Sequence, residues 1–375
     1  TIYREGDNST QFFDMLNDQN SHLLKVGLDV YLNDKNTLSV FTSQNSFKGA
    51  PGGNINIVYA DDMSRNLMQD FGADMDNYSQ QYNFDYKLDF EKEGHNIEFE
   101  ADYNTFDADE DTFFDFTGAT PLADYEDFVD TKRDRTTLNL DYVNPLSETE
   151  KLEVGLQAIL FNTDIGYSST GQSYNAAGNL VPTPNTLFDY SRDIYSAYVT
   201  YGKNYEKWSY QAGVRAEQVN VVADTNSVRA FTNDYFELYP SAYVTFNPSE
   251  KNQYQVSYSR RIDRPGVGQV NPIREWSSPL VTQYGNVNLR PQFTNSLEAN
   301  YTRSLGKGSI TAGVFYRIIE DQINQAVYVD RFNLDRAVLT NDNFDSTTAY
   351  GFEVSANYKP FSWWSVNASF DLFSQ

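Results

Sequence analysis

Three arginines that stand close together are the strongest candidates for ligand chemistry in this chain. Arg260, Arg261 and Arg264 lie around Asp263, and a guanidinium group binds carboxylate or phosphate through paired hydrogen bonds. The neighbouring carboxylate supports a second interpretation, in which the arginines form a structural network of ion pairs. The sequence favours the network and keeps Arg261 and Arg264 as candidate ligand contacts.

An acidic run provides the candidate metal ligands. Asp107, Asp109 and Asp111 have the alternating spacing with which a helix-loop-helix calcium site begins. Thr112 and Gly118 occupy the positions where such a loop needs Gly and Glu, so this motif is excluded. A loose calcium site on the three aspartates stays open beside the alternative of a solvated acidic segment. The chain has no Cys and two His, which excludes a Cys/His zinc site, and no cofactor is expected.

Catalysis and nucleic-acid binding both lack the residues they need. His22 stands at the start of a predicted strand and His95 in a predicted short turn, and no nucleophile accompanies either one. We therefore expect no enzyme activity. The chain has 28 Lys+Arg against 52 Asp+Glu and a net charge of -24, so nucleic acid is not an expected partner. The same charge repels anions at long range, which favours neutral or cationic cargo.

The elements that must position these residues are β-strands, because apolar residues recur at every second position. Ile97, Phe99, Ala101 and Tyr103, for example, alternate with acidic residues. The runs are longer than the five or six residues usual in soluble sheets. Apolar faces with Tyr and Trp at their ends match a lipid-facing surface, and the polar faces match a lumen. A mean hydropathy of -0.59 and the lack of a long apolar run exclude a membrane-spanning helix.

The predicted connections alternate between short and long. The short ones lie near residues 33–35, 91–94, 144–150, 202–204, 247–250, 305–308 and 359–361, and the long ones near 44–75, 104–134, 163–190, 220–233, 263–290 and 320–348. Short periplasmic turns and long extracellular loops are typical of bacterial outer-membrane barrels. Seven short turns predict about 14 strands in an all-β, transmembrane antiparallel β-barrel.

The predicted strand directions place both chain ends on the outer side. The first predicted strand covers about residues 23–32 and the last about 362–373. Complete single-chain barrels have an even number of strands, and they ordinarily keep both ends in the periplasm. We therefore expect residues 1–375 to form a single partial barrel domain from the middle of a larger barrel, without a plug domain or signal peptide.

One stretch carries a family resemblance. Residues 254–301 read YQVSYSRRIDRPGVGQVNPIREWSSPLVTQYGNVNLRPQFTNSLEANY, and this stretch resembles the late-barrel region of the TonB-dependent receptor family. Val287 and Gln292 stand where the family often has Pro and Glu. The residues that carry the resemblance are Arg264, Pro265, Asn271, Pro272, Gly285, Asn286, Leu289, Pro291 and Glu298.

The resemblance implies a barrel of about twenty-two strands, plugged by an N-terminal domain, that imports a nutrient or metal complex with energy delivered through TonB. In this interpretation Trp276, Asn286 and Asn288 are further candidate ligand contacts, although Gly, Asn and Pro here also fit ordinary turn chemistry. The implied partners are outer-membrane lipid, TonB through an N-terminal region absent from this chain, and a surface lipoprotein or other envelope component. A plug-free passive channel and a docking barrel in an envelope assembly stay open as alternatives.

Overall fold

The computed structural model describes residues 2–4, 7–120, 123–175, 177–330 and 336–375. Strands make up nearly all of it, with one 3₁₀ turn at Met63–Arg65 and one short helix, α1, at Val267–Val270. The strands are β1 (Ile2–Arg4), β2 (Asp7–Asn33), β3 (Asn36–Tyr59), β4 (Leu67–Asp89), β5 (Asn96–Gly118), β6 (Tyr125–Pro145), β7 (Glu150–Ser169), β8 (Gln172–Tyr174), β9 (Leu180–Pro182), β10 (Thr186–Asn204), β11 (Trp208–Thr225), β12 (Val228–Ser249), β13 (Asn252–Asp263), β14 (Glu275–Ser278), β15 (Val281–Gln283), β16 (Gln292–Leu305), β17 (Gly308–Glu320), β18 (Gln322–Val329), β19 (Ala337–Phe344), β20 (Thr347–Phe361) and β21 (Trp364–Ser374).

A single antiparallel sheet contains the fourteen long strands and the short β1. Its order is β1-β2-β3-β4-β5-β6-β7-β10-β11-β12-β13-β16-β17-β20-β21, so sequence neighbours are spatial neighbours wherever no loop strands intervene. The number of long strands confirms the prediction from the short turns. Within the described ranges no ladder joins β21 to β1 or β2, so the sheet is open there.

The two faces of the sheet differ in the way that the alternation predicts. On the outward face Leu156 lies between Leu140 and Ala197, and Ala197 lies beside Ala216. These outward positions form an apolar band a few residues above the short turns. Just beyond the band, six of the strands carry an outward aspartate, namely Asp76, Asp107, Asp134, Asp164, Asp193 and Asp234. A row of charges bounds the surface that can contact hydrocarbon.

Aromatic residues bound the band on the short-turn side. Trp208 stacks on Phe246 with ring centres 4.2 Å apart, and Tyr254 stacks on Tyr301 at 4.8 Å. A similar stack joins Phe361 to neighbouring tryptophans near the last short turn. Such rings, apolar in body and polar at the tip, belong at a membrane interface.

Three of the predicted long loops are mostly strand, so this part of the prediction is wrong. The connection after β3 covers only residues 60–66, and the one after β5 only 119–124. β11 and β12 are joined by Asn226 and Ser227, whose positive φ values of 49° and 62° fit a tight hairpin turn. The polar residues of these segments alternate along strands that extend past the apolar band, where both faces of a hairpin can meet water.

The other three long connections contain structure of their own. Residues 170–185 hold the β8–β9 hairpin, while 264–291 and 321–346 together form a four-stranded sheet of order β14-β15-β19-β18. β15 and β19 pair in parallel although they come from different connections. No helix in the described part of the chain has the length and apolar character needed to cross a membrane.

A pair of neighbouring substitutions tests the assignment of the two faces. Leu138 points outward in the apolar band, so Leu138→Arg should lower the free energy of unfolding in lipid vesicles by about 2–4 kcal/mol. Thr137 points inward and lies opposite Asp102 of β5, so Thr137→Arg should lower the free energy of unfolding much less. Urea titration of both variants in vesicles measures the difference, and equal losses would contradict the assignment.

Candidate functional site

Residues 264–291, which we call the strap, fold inward and line the inner wall of the sheet. Val270, Ile273 and Leu289 are buried against inward-facing residues of β7, β10 and β11. Farther along, Leu280 packs against a small buried cluster around Ile57 on β3. The strap therefore crosses most of the wall instead of projecting into solvent above β13 and β16.

Backbone contacts between its two halves hold the strap in shape. Gly285 donates its N–H to the Asn271 carbonyl at 2.7 Å, and Asn286 donates to the Gln269 carbonyl at 2.7 Å. A Cβ at position 285 would lie 2.6 Å from the backbone N and O of Asn271. The Asn271 side chain in turn accepts the N–H of Ile273 at 3.0 Å. Three residues of the family resemblance, Asn271, Gly285 and Asn286, thus join the two halves of the strap.

The strap is also fastened to the connection between β17 and β20. The side-chain amide of Asn286 donates to the Asn341 carbonyl at 3.1 Å. The N–H of Arg290 donates to the Asn343 side chain at 2.8 Å, and Asn343 returns a bond to the Arg290 carbonyl at 3.0 Å. Two separate connections thus form one inserted unit over the inner wall.

On the short-turn side of the strap, a row of hydrogen-bonded polar side chains crosses the inner wall at the height of the apolar band. We call this row the polar belt. It includes Ser196 of β10, which donates to Glu217 at 3.4 Å. Its other bonds join Asn83 to Glu100 (3.1 Å), Asn139 to Glu100 (3.0 Å), Gln157 to Asn139 (2.7 Å), Arg215 to Gln157 (2.5 Å) and Arg215 to Glu217 (2.6 Å).

Arg264 anchors the start of the strap in this belt. Its guanidinium forms an ion pair with Glu217 and donates to the Tyr235 hydroxyl at 3.0 Å. Both partners of the ion pair are largely buried. Arg260 likewise pairs with Glu237 at 2.5 Å. The structural interpretation of these two arginines fits the geometry, because each guanidinium is paired with a carboxylate.

A cavity of about 560 Å³ lies beside the strap in the half of the lumen away from the short turns. Its wall is largely apolar, with Phe71, Phe114 and Ile165 among the lining residues. Gln69 also lines it and is fully buried, and neither atom of its side-chain amide has a hydrogen-bond partner in the described structure. An apolar hollow with a few polar groups is the usual form of a small-molecule site.

Asp127 is the charged group set deepest in this cavity, and it lies on β6 beyond the apolar band. The Tyr167 hydroxyl donates to its carboxylate at 3.0 Å. Burial raises the pKa of Asp127, while the hydrogen bonds of Ser169 and Tyr167 and the charge of Arg274 act in the opposite direction. The carboxylate is therefore held in a site that disfavours its charge.

The remaining predicted ligand contacts are scattered. Arg261 and Asn288 are exposed, and the N–H of Asn288 bonds to the Asn286 side chain at 3.0 Å. The side chain of Trp276 lies outside the described residues. His95 contacts the Tyr142 hydroxyl at 3.0 Å and packs against Phe90 near a short turn.

The calcium candidates lie on the outward face of β5, not in a loop. Asp107, Asp109 and Asp111 are exposed there at alternate positions. Asp130 and Asp76 on the flanking strands raise the pKa of Asp109, chiefly through its contact with Asp130. Across the residues that the structure describes, no three acidic or His side chains are grouped so that they could hold a metal ion.

Sequence reasoning missed three lumen-facing arginines, Arg133, Arg135 and Arg192. They lie on β6 and β10, and they share the inward face with Asn139 and Ser196 of the polar belt. The signal was present, since Arg133 and Arg135 alternate in the run TKRDRTT. It was partly hidden because the segment expected to be a loop, 104–134, covered the first four residues of this run.

Comparison with known proteins agrees with this fold. Residues 88–375 match the outer membrane protein beta-barrel family, and the chain belongs to that family. A search of curated proteins gives no match.

Solved structures with a similar fold include three receptors. The hemophore receptor HasR of Serratia marcescens matches at 12% identity and a TM-score of 0.57, covering 97% of this chain and 63% of HasR. The siderophore receptor PirA of Pseudomonas aeruginosa matches at 14% identity and a TM-score of 0.55, covering 98% of this chain and 66% of PirA. The alcaligin receptor FauA of Bordetella pertussis matches at 12% identity and a TM-score of 0.52, covering 97% of this chain and 60% of FauA. The chain thus spans about three fifths of the length of these receptors.

The contact between Gly285 and Asn271 can be tested with a matched pair of glycines. Gly285→Ala forces a Cβ against backbone atoms, and we expect it to destabilise the strap by about 1–3 kcal/mol. A Cβ at Gly268 in α1 would have no atom within 4 Å, so Gly268→Ala should be neutral or slightly stabilising. Limited proteolysis within 264–291 reports the difference, and equal cleavage of the two variants would contradict the tight fit.

Asp127 should give the stability of the protein a measurable pH dependence. Because its pKa is higher in the folded protein than in the unfolded chain, its charged form opposes folding at neutral pH. This penalty disappears as the pH falls through the folded pKa toward the unfolded value of about 3.9. Asp127→Asn should therefore be more stable than the wild type at pH 7.5, by a margin that shrinks toward pH 4.

The exposed Asp345 provides the control for this pH series. Asp345→Asn should follow the wild-type midpoint for unfolding by denaturant at every pH. If Asp127→Asn did the same, burial of the Asp127 carboxylate would carry no penalty.

Proposed function

We propose that the chain is the barrel part of a TonB-dependent outer-membrane transporter that imports a nutrient or metal complex. The observation that carries the proposal is the strap, which folds into the lumen beside the 560 Å³ cavity. An inserted loop that bounds a largely apolar hollow suits a receptor that selects its cargo. The fold shared with the hemophore and siderophore receptors supports the same class of function.

In the proposed mechanism, cargo enters from the side of the long connections and binds against the inner wall near the strap. The short turns then face the periplasm. The polar belt below the strap gives the lumen a hydrated, hydrogen-bonding wall at the height of the membrane. Passage requires the rearrangement of an N-terminal plug, driven through TonB from the inner membrane. No residue of this chain is assigned a catalytic role.

Intact mass measurement of the protein extracted from its native outer membrane tests this proposal first. A transporter with a plug domain should have a mass well above the 42.9 kDa of this chain, and its N-terminal peptides should include the plug. A mass of 42.9 kDa would refute the plugged transporter and leave a passive channel or a docking barrel.

Planar-bilayer recordings of the purified full-length protein separate the transporter from a passive channel. A plugged barrel should show no steady conductance in ordinary buffer. Because a local unit opens at a lower free energy than long continuous ladders, mild urea should displace the plug first and produce reversible openings. Large, steady conductance without urea would favour the channel.

A further inference from the structure

Three lumen-facing arginines have no carboxylate partner within the described structure. Arg133, Arg135 and Arg192 appear in none of its ion pairs, whose cations are other lysines and arginines. Arg192 donates to the Pro265 carbonyl at the start of the strap at 3.4 Å.

Two of the three guanidinium groups lie over one aromatic ring, and the third arginine is a cross-strand neighbour of that ring. The Cζ atoms of Arg133 and Arg192 lie 5.9 Å and 5.6 Å from the centre of the Phe161 ring. Arg135 is the cross-strand partner of Phe161 on β6, and Arg192 is its partner on β10. Arg133 also lies 5.3 Å from the Phe106 ring centre. The rings hold the arginines in place without neutralising them.

The nearest inward acid on β5 is already engaged. Asp102 lies opposite Thr137, two residues from Arg135 along β6, and it accepts hydrogen bonds from Gln81 at 2.8 Å and from Asn104. Glu217 is shared between Arg215 and Arg264. The arrangement thus provides an acid for Arg215 of the belt and for Arg264 of the strap but not for this cluster.

We propose that Arg133, Arg135 and Arg192 form a binding site for a small organic polyanion, one that carries two or more carboxylate groups on an apolar frame. Each guanidinium can bind a carboxylate through two hydrogen bonds. Phe161 and Phe106 offer apolar surface to the carbon frame between them. The assignment rests on the proposed transport function and names its class of cargo.

The net charge of the chain does not argue against an anion at this place. Asp107, Asp109 and Asp111 of β5 and Asp130 and Asp134 of β6 lie on the outward face, on the other side of the sheet from the arginines. At physiological ionic strength an exposed charge is screened beyond about 8 Å. An anion in the lumen is therefore attracted chiefly by the three arginines next to it.

Calorimetric titration of the full-length protein in detergent tests the site. The probe is benzene-1,3,5-tricarboxylate, and the uncharged benzene-1,3,5-tricarboxamide is its control. We expect the tricarboxylate to bind at least about tenfold more tightly than the amide. Arg135→Gln and Arg192→Gln should each weaken it by about tenfold, as expected for the loss of one charge-assisted interaction.

Arg303→Gln removes the same charge from an exposed position near a short turn and should change the affinity less than twofold. Thermal unfolding checks the fold of each variant. Arg135→Lys keeps the charge but not the two-pronged geometry, and it should bind more weakly than the wild type with an unchanged unfolding temperature.

Equal binding of the two probes, or no binding of either at 10 mM, would overturn the proposal. An equal loss in Arg303→Gln would overturn it too, since net charge would then explain the effect. A third result would also overturn it: the wild type fails to bind the tricarboxylate, and Arg135→Gln has a lower unfolding temperature than the wild type. Arg135 would then be paired with a carboxylate of the protein itself. None of these results bears on plug mass or conductance, so the anion assignment can fail while the transporter stands.

Discussion

The hydrogen-bonding demand of the backbone governs this structure. In hydrocarbon every N–H and C=O must find a partner within the protein, and a sheet satisfies this only when its strands are joined by unbroken ladders. β7 and β10 pair without a register shift from Lys203 opposite Glu150 to Thr186 opposite Tyr167. Once the register of two strands is set within the membrane, each further pair of residues adds hydrogen bonds to the ladder without the entropy cost of closing a new chain loop. The ladders therefore continue past the apolar band and become hairpins in water.

The lumen is organised by a second demand, that buried charges be paired. Glu217 takes bonds from Arg215 within the wall and from Arg264 at the start of the strap. Pro265, which has no N–H to continue the β13 ladder, follows at once. The strap thus leaves the sheet at an ion pair, and its apolar side chains find the inner surfaces of β7, β10 and β11. Charge fixes where the strap begins, and packing fixes its course.

The sequence predicted the sheet well because period-two alternation and short turns are local signals. The same signals failed in the parts of the strands that extend past the apolar band. There, runs such as Asp107 to Asp111 are polar on one face and mixed on the other, so they resemble loops. The turn at Asn226 and Ser227 was missed for that reason. At the site, the ion-pair interpretation of Arg264 could be weighed from its neighbour Asp263, yet its partner Glu217 is far away in sequence. Contacts such as that of Leu280 with the Ile57 cluster depend on the folded course of the strap, which no local pattern encodes.

Alternation also separates charge, with a consequence for the lumen. β6 carries Asp130 and Asp134 on its outward face and Arg133 and Arg135 on its inward face, within six residues. On the outward face the side-chain contact with Asp130, together with burial and the nearby negative charges, raises the pKa of Asp109. On the inward face the Arg133 guanidinium lies over Phe106 and Phe161. Over this stretch of β6 the outward face is therefore acidic and the inward face basic, although the whole chain has a net charge of -24. Since one sheet can present opposite potentials on its two faces, the charge that a cargo meets inside must be derived from facing and not from composition.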